Sequence, residues 1–391
     1  MNAPHIISLG CRMNIAESER MRAMLAGERD LVVVNSCAVT GEALRQTRQA
    51  IRRARRDHPA ARLVVTGCAA EIDRAEIGGM AEVDGLVANA AKLDPRSWNV
   101  PGEAPPIAPA RTRAFVAVQN GCDHACTFCV IPQGRGTSRS LAVPDVLREI
   151  EAHLAAGVQE VVLTGVDLTS WGHDLPDAPR LGTLVAAILA AFPALPRLRL
   201  SSVDGIEIDP LLFDLLAHEA RVMPHLHLSL QHGADLILKR MKRRHLRRDA
   251  LELVARLKVL RPDIATGADL IAGFPTEDDS HHQANLAIID ELEIVHAHIF
   301  PFSPRPGTPA ARMPQLAREV VKSRAAELRA RAATIRARWL ESLVGETLPV
   351  LAERGGTGYA PNYAPVALPP GTAAGTIIDV TPSGLREGQL A

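Results

Sequence analysis

Three cysteines, Cys122, Cys126 and Cys129, stand in a Cys-x3-Cys-x2-Cys array within Asn120-Gly-Cys-Asp-His-Ala-Cys-Thr-Phe-Cys-Val-Ile-Pro132, and no fourth cysteine lies near them. Thiolates are soft, strongly donating ligands that suit iron–sulfur clusters. Three of them can hold three irons of a four-iron cluster and leave the last iron open. A small molecule carrying an amine and a carboxylate can chelate that open position. Two other readings use the same residues. Cys126-Thr-Phe-Cys129 could be a redox dithiol, although such a pair should open a helix in a βαβ unit and Cys122 would then be idle. The array could also be a zinc site with His124 as its fourth ligand.

The other three cysteines, Cys11, Cys37 and Cys68, need the elements around them to make sense. Apolar runs at 5–9, 31–35, 63–66 and 83–88 alternate with helical patterns at 14–26, 41–56 and 71–80. Strands separated by helices argue for an open parallel α/β domain over residues 1–98. Each cysteine follows one of the first three strands by two or three residues. Ligands of such sheets bind beyond the carboxyl ends of the strands. Three thiols at one topological position therefore predict a second three-cysteine cluster, against the plainer reading of three small buried residues.

Residues 99–110 carry Pro101, Pro105, Pro106 and Pro109 and read as an extended linker. Beyond it, strand candidates at 114–119, 160–164, 197–201, 225–230, 265–272 and 295–300 alternate with helical patterns, which predicts a partial TIM-like (βα)6 barrel over 111–343. The Cys122–Cys129 loop follows its first strand, on the face where βα loops collect. One long helical pattern over 316–343 places Leu316, Val320, Leu328, Ala332, Ile335, Trp339 and Leu343 on an apolar stripe. Residues 344–391 change to short strands broken by glycine and proline, a β module too small to bury much core alone.

The 391 residues are 47% hydrophobic and 23% charged, with no formal net charge. No global basic field advertises nucleic acid, so local patches must carry that argument. With 3% aromatic residues, broad base-stacking platforms are not expected. No run of eighteen apolar residues or secretory leader is visible, so no membrane association and a cytoplasmic location are expected, with cysteines used for metal or redox work rather than disulfides.

Several motifs together resemble the radical S-adenosylmethionine (SAM) methylthiotransferase family over nearly the whole chain. They are Ser8-Leu-Gly-Cys-Arg-Met-Asn14, Asn35-Ser-Cys-Ala-Val-Thr40, Thr66-Gly-Cys68, the Cys122–Cys129 array with Phe128 before its last cysteine, Leu228-Ser-Leu-Gln-His-Gly233, Leu238-Lys-Arg-Met-Lys-Arg243, Ala272-Gly-Phe-Pro-Thr-Glu277 and Phe302-Ser-Pro-Arg-Pro-Gly-Thr308. The resemblance implies two 4Fe–4S clusters and SAM as cofactors. Cys11, Cys37 and Cys68 would bind the auxiliary cluster, and Cys122, Cys126 and Cys129 the cluster that cleaves SAM. The C-terminal module would be TRAM-like. Such chemistry is needed where an aromatic C–H bond is too strong and too non-acidic for a side-chain base, and the cofactor carries that step while the protein positions it. Candidate SAM contacts lie at the carboxyl ends of successive barrel strands: Thr164, Gly165 and Asp167, then Ser201 and Ser202, then Gln231, then Gly273 and Glu277. Gly273 would let the backbone approach adenine closely.

Two basic runs suggest RNA phosphate contacts beside the cysteine loops: Arg45, Arg48 and Arg52 on the helix after Cys37, and Lys239, Arg240, Lys242 and Arg243 after the fourth barrel strand. Charge runs are more often solvated helix faces. The C-terminal module is slightly acidic, which argues against it as the main RNA anchor. His225 with His227, and His296 with His298, share strand faces and read as barrel histidines rather than metal ligands. The details around Cys37 and Leu163-Thr-Gly-Val-Asp-Leu168 resemble the subgroup that acts on C2 of N6-threonylcarbamoyladenosine beside the anticodon of tRNA. Related substrates are isopentenyladenosine in tRNA and an aspartate of a ribosomal protein. An iron–sulfur electron carrier or RNA-binding protein without SAM cleavage is the alternative from another class. A monomer served by a flavodoxin- or ferredoxin-like electron donor is expected.

Overall fold

The chain was analysed as a computed structural model that describes residues 4–101 and 111–391. Most of the linker expected at 99–110 lies outside the described residues. Near the N-terminus, Leu31–Ser36 is buried at every position, as a strand covered on both faces must be. It pairs in parallel with His5–Ser8 on one side and Arg62–Gly67 on the other, and Gly85–Leu86 completes a four-stranded sheet in sequence order. Helices Arg12–Met24 and Gly41–Asp57 follow the first two strands. The third connection is two short helices, Cys68–Ile72 and Arg74–Gly78, where one was expected.

Six further parallel strands form two three-stranded sheets. Arg113–Ala117, Glu160–Thr164 and Arg197–Leu200 make one, and His225–Gln231, Ala265–Ala272 and Ile294–Pro301 the other. Parallel bridges Leu198↔Val222 and Val203↔Leu228 join them. This is the expected partial barrel, open between its first and sixth strands. Alternation sets its two faces. Val116, Leu163, Leu198, Leu228 and Leu270 pack outward in the main core, so Phe115, Val162, Arg199, His227 and Asp269 point inward. Helix Arg12–Met24 leans on the first strand, where Ala16 packs with Phe115 and Val162.

The long helix is Arg318–Ser342. Its buried apolar face is Ala325, Leu328, Ala332 and Leu340, while Val320 is exposed rather than on the stripe. The remaining segment forms a six-stranded sheet between Leu348 and Leu390, docked against the amino-terminal mouth of the barrel, opposite the cysteine loops. Arg199 donates to Glu160 (2.8 Å) and to the Pro361 carbonyl (2.8 Å), and its guanidinium stacks 4.0 Å from the Tyr363 ring centre. Arg113 pairs with Glu353 at 2.7 Å.

Histidines complete this floor. His225 and His296 pack edge-on with each other and with Tyr363. His296 donates from Nε2 to the Asn362 carbonyl (3.1 Å) and accepts at Nδ1 from Arg336 (2.9 Å). Burial, reinforced by Arg336, holds its pKa down to about 3, and burial, reinforced by His296 and Arg199, lowers His225. The unfolded imidazole takes up a proton below about pH 6.5, so the folded, neutral ring contributes stability that is whole above that pH. The contribution drains as pH falls toward 3, by about 1.4 kcal/mol per pH unit. Thermal unfolding midpoints measured between pH 7 and 4 are expected to fall steadily, and His296→Gln to flatten that slope.

Candidate active site

The first thiol triad is built by strand ends. Cys11 caps helix Arg12–Met24, Cys37 follows Ser36 at the end of the second strand, and Cys68 opens its helix straight after Gly67. All three are free thiols at the carboxyl edge of three neighbouring parallel strands. Gly10, at φ +89°, leaves no room for a side chain, since a Cβ there would lie 2.7 Å from Cys37 Sγ. Burial pushes the Cys37 thiol up to about 11, and the charges of Cys11 and Cys68 add to the rise. Cys68 is raised by burial too, so two buried sulfurs beside the exposed Cys11 are a poor set of thiolates on their own and a good set around a cation.

The second triad lies in the loop after the first barrel strand. Burial takes Cys122 up to about 12 and Cys129 to about 11; Cys122 also feels Cys126 and Cys129, while Cys129 feels Cys126 and, from the first triad, Cys68. The loop is held by the segment after the fourth strand. Thr127 N–H donates to the Met241 carbonyl (3.1 Å), and its hydroxyl to the Arg240 carbonyl (2.9 Å). Arg243 donates to Asp204 (2.8 Å) and the Ser229 carbonyl (2.8 Å), and lies 3.7 Å from Cys126 Sγ. Burial pushes the Asp204 carboxyl up, but His245, Arg243 and Arg244 outweigh it and bring it down to about 2. His124 uses Nε2 on Asp167 at 2.7 Å and meets Arg244 at 2.9 Å. That is a carboxylate–guanidinium setting, and ligand atoms of His124, Asp167 and Cys122 also lie within 4.8 Å of one another, near enough to share an ion.

The residues of the two basic runs expected to meet RNA divide between half-buried and exposed positions. Arg243 is enclosed beside the cysteine loop, and Arg240 donates to Thr276 at 2.7 Å, so both brace the site. Lys239 and Lys242 remain exposed. On helix Gly41–Asp57, Arg45 pairs with Glu42, Arg48 with Glu76 and Arg52, at 3.9 Å, with Glu82. Local carboxylates thus offset the charge of that face.

Among the SAM candidates, Thr164 and Gln231 end the second and fourth strands, Ser201 and Ser202 directly follow the third, which ends at Leu200, and Gly165 directly follows Thr164. The buried Ser201 hydroxyl has no hydrogen-bond partner among the described residues. Asp167 lies 3.8 Å from Cys122 Sγ, and its N–H donates to Gln119. Glu277 has another task. It accepts from the N–H groups of Gly273 (3.0 Å) and Phe274 (3.1 Å), and also meets His232 and Arg324. Its oxygens are committed to folding its own loop, not to a ligand. Gly273 is also explained internally: φ is +71°, and a Cβ would lie 2.7 Å from a methyl of Val321, so its close neighbour is the long helix rather than adenine.

A buried ionic tether joins the two triads, and sequence reading did not find it. Arg135, at the end of the helix after Cys129, donates to Glu17 (2.8 Å), Asn14 (2.6 Å) and Asn120 (2.8 Å). Lys92 reaches Glu17 at 2.5 Å and Asn35 at 3.2 Å. Each partner except Lys92 lies within a few residues of a cysteine: Asn14 and Glu17 follow Cys11, Asn35 precedes Cys37, and Asn120 precedes Cys122. The Glu17, Lys92 and Arg135 side chains are each 2% exposed. The segment after the sixth strand adds a second bridge. Ser303 accepts from Gly41 N–H (3.1 Å), Arg305 pairs with Asp73 (3.1 Å), and Ala310 N–H donates to the Thr127 carbonyl (2.9 Å).

Two thiol triads brought edge to edge on a parallel sheet and a partial barrel define a radical SAM enzyme with a second cluster site. The comparisons with known proteins agree. The Radical SAM superfamily model matches residues 116–287, and a model described as uncharacterized protein family UPF0004 matches residues 4–88. The chain is 39% identical over 403 residues to the threonylcarbamoyladenosine tRNA methylthiotransferase MtaB of Rickettsia prowazekii, covering 98% of this chain and 96% of that one. It is 33% identical to the tRNA-2-methylthio-N(6)-dimethylallyladenosine synthase of Maricaulis maris, covering 90% and 86%. Among solved structures, the radical SAM methyltransferase TsrM of Kitasatospora setae superposes with a TM-score of 0.53 at 18% identity, over 75% of this chain and 66% of that one, a likeness of fold. The chain belongs to the radical SAM methylthiotransferase family. Enzymes of this family use 4Fe–4S clusters and SAM, and the two triads of free thiols fit such clusters by donor type and number.

Proposed function

We propose that this methylthiotransferase acts on tRNA, placing a methylthio group on C2 of N6-threonylcarbamoyladenosine next to the anticodon. The observation that carries the substrate is the likeness to the Rickettsia enzyme along almost the full length of both chains. In this reading Cys122, Cys126 and Cys129 hold the SAM-cleaving cluster, and Cys11, Cys37 and Cys68 the auxiliary one. Bound there, these groups would supply hydrogen-atom abstraction from an unactivated C–H bond and a sulfur for insertion.

The chain's own residues do the positioning. Gln119 ties the loops together, accepting from Asp167 N–H (2.9 Å) while its amide donates to the Gly121 carbonyl (2.8 Å) and Ser138 (2.9 Å). Thr164, Gly165, Asp167, Ser201, Ser202 and Gln231 line the strand ends where SAM would lie, and the free Ser201 hydroxyl is available to a polar ligand group. Lys239 and Lys242, exposed on the segment that clamps the cysteine loop, are cations that could meet tRNA phosphates. The enzyme works as a cytoplasmic monomer supplied by a flavodoxin- or ferredoxin-like donor. No helix among the described residues is long and apolar enough to cross a membrane.

Mass spectrometry of tRNA nucleosides from cells with and without the gene tests the substrate. Deletion is expected to remove 2-methylthio-threonylcarbamoyladenosine and leave its precursor. Loss of the isopentenyl counterpart instead, or an unchanged profile, overturns the assignment.

A further inference from the structure

The open side of the barrel carries a feature that the cysteine chemistry does not use. Strand Ile294–Pro301 ends its three-stranded sheet, and Arg113–Ala117 ends the other, so the sixth strand borders the opening. Ala297 and Ile299 pack outward on the main core, which turns His298 and Phe300 toward the lumen. Both are exposed there: the His298 side chain is 53% accessible and Phe300 40%. Phe300 is the only aromatic among the exposed large hydrophobic residues in the described part of the chain. The two rings meet nearly edge to face, with centroids 6.4 Å apart at 77°.

His298 is held rather than loose. Its Nδ1 lies 3.0 Å from Asp269 Oδ1, and the same oxygen takes His227 Nε2 at 3.2 Å, the two rings lying side by side with centroids 4.5 Å apart. With Nδ1–H donating to the carboxylate, the neutral ring presents Nε2 as an acceptor, and no protein partner for Nε2 occurs among the described residues. Downstream, this strand runs directly into the segment that touches the loops after Cys37 and Cys68 and the loop between Cys126 and Cys129, through Ser303, Arg305 and Ala310. An exposed aromatic face and an oriented acceptor thus stand at the entrance to the place where both triads meet.

We propose that Phe300 and His298 form the platform that receives the target nucleobase, Phe300 packing on the purine face and His298 Nε2 accepting from the N–H of its N6 substituent. Enzymes that act on a base take it out of the stack, and unstacked bases are commonly gripped by aromatic side chains and hydrogen bonds to their edges. The identity given to the substituent rests on the proposed function. A threonylcarbamoyl group offers ureido N–H donors, whereas an isopentenyl group offers only hydrocarbon beyond N6. An acceptor fixed by a buried carboxylate therefore favours the first.

The test uses the full chain with both clusters reconstituted, and steady-state kinetics on tRNA carrying threonylcarbamoyladenosine and on tRNA carrying isopentenyladenosine. Circular dichroism and iron content report whether each variant is folded and loaded. Phe300→Ala is expected to raise KM for tRNA by roughly 5- to 150-fold, the range of one lost base stack, and Phe300→Tyr to restore it. His298→Ala is expected to lower kcat/KM on the threonylcarbamoyl substrate by roughly 2- to 12-fold, one neutral hydrogen bond, and so to narrow the preference over the isopentenyl substrate. Folded, loaded Phe300→Ala and His298→Ala proteins with unchanged kinetics overturn the platform. If the unsubstituted enzyme instead modifies only isopentenyl-tRNA, the proposed function falls and the role of His298 falls with it. The Phe300 variants are then read on that tRNA, where unchanged KM overturns the stacking role.

Discussion

Cys37→Ala protein is expected to cleave SAM and yield no methylthiolated tRNA, whereas Cys126→Ala is expected to do neither. The two triads sit on separate elements, Cys37 at a sheet edge of the N-terminal domain and Cys126 in a barrel loop with its own clamp of Thr127, Met241 and Arg243. Removing the Cys37 sulfur opens one corner of the first triad and leaves that clamp untouched. Product formation should drop by more than about 100-fold, beyond what losing an outer-shell partner of a metal ligand costs, while 5′-deoxyadenosine still accumulates. Chromatography of both products from one anaerobic reaction separates the two variants. Equal loss of 5′-deoxyadenosine in Cys37→Ala would mean that the triads do not divide the work.

The cysteines were legible because their spacing and their place after each strand are local properties of the chain. The strands were legible for a related reason. A run such as the apolar residues 31–34 occurs where both faces of a strand are covered, and the alternation in His225–Gln231 marks a strand with one face on the core and one on a lumen. What the chain concealed is commitment of charge. Arg243 and Glu277 read as ligand-facing polar residues, yet Asp204, the Ser229 carbonyl and the amides of Gly273 and Phe274 absorb them. Arg45 and Arg48 read as a basic face, yet Glu42 and Glu76 offset them. Glu42 lies three residues from Arg45, and Gly273 and Phe274 four and three residues from Glu277. The others are fixed by tertiary packing, which periodicity cannot report. The short strands Thr357–Tyr359, Leu385–Arg386 and Gln389–Leu390 escaped because two or three residues hold no readable period.

That hidden charge gives the largest expected effect on stability. Glu17 lies between Lys92 and Arg135, all three enclosed between the N-terminal sheet and the barrel. Burial pushes the Glu17 carboxyl up, but the two cations outweigh it and hold it below its ordinary value. Glu17→Gln removes the only carboxylate of the tether and leaves two cations buried together. Breaking a buried pair in this way costs about 3–5 kcal/mol, because the surviving charge stays desolvated. Adding Lys92→Met returns the net charge of the cluster to its original value and should recover most of that loss, giving a large coupling in a double-mutant cycle read by urea unfolding. The sign with pH follows from the lowered carboxyl: the contribution is complete above the unfolded value near 4.5 and is lost as pH falls through the folded one. Functionally, Glu17→Gln loosens the contact that spans from Asn14 and Asn35 to Asn120. A folded variant should therefore form 5′-deoxyadenosine in excess over product, since cleavage needs one triad and transfer needs both held in place. A Glu17→Gln protein within about 1 kcal/mol of the parent, with cleavage and product still in step, would remove the tether from this role and leave the Ser303–Arg305–Ala310 bridge to hold the two halves together.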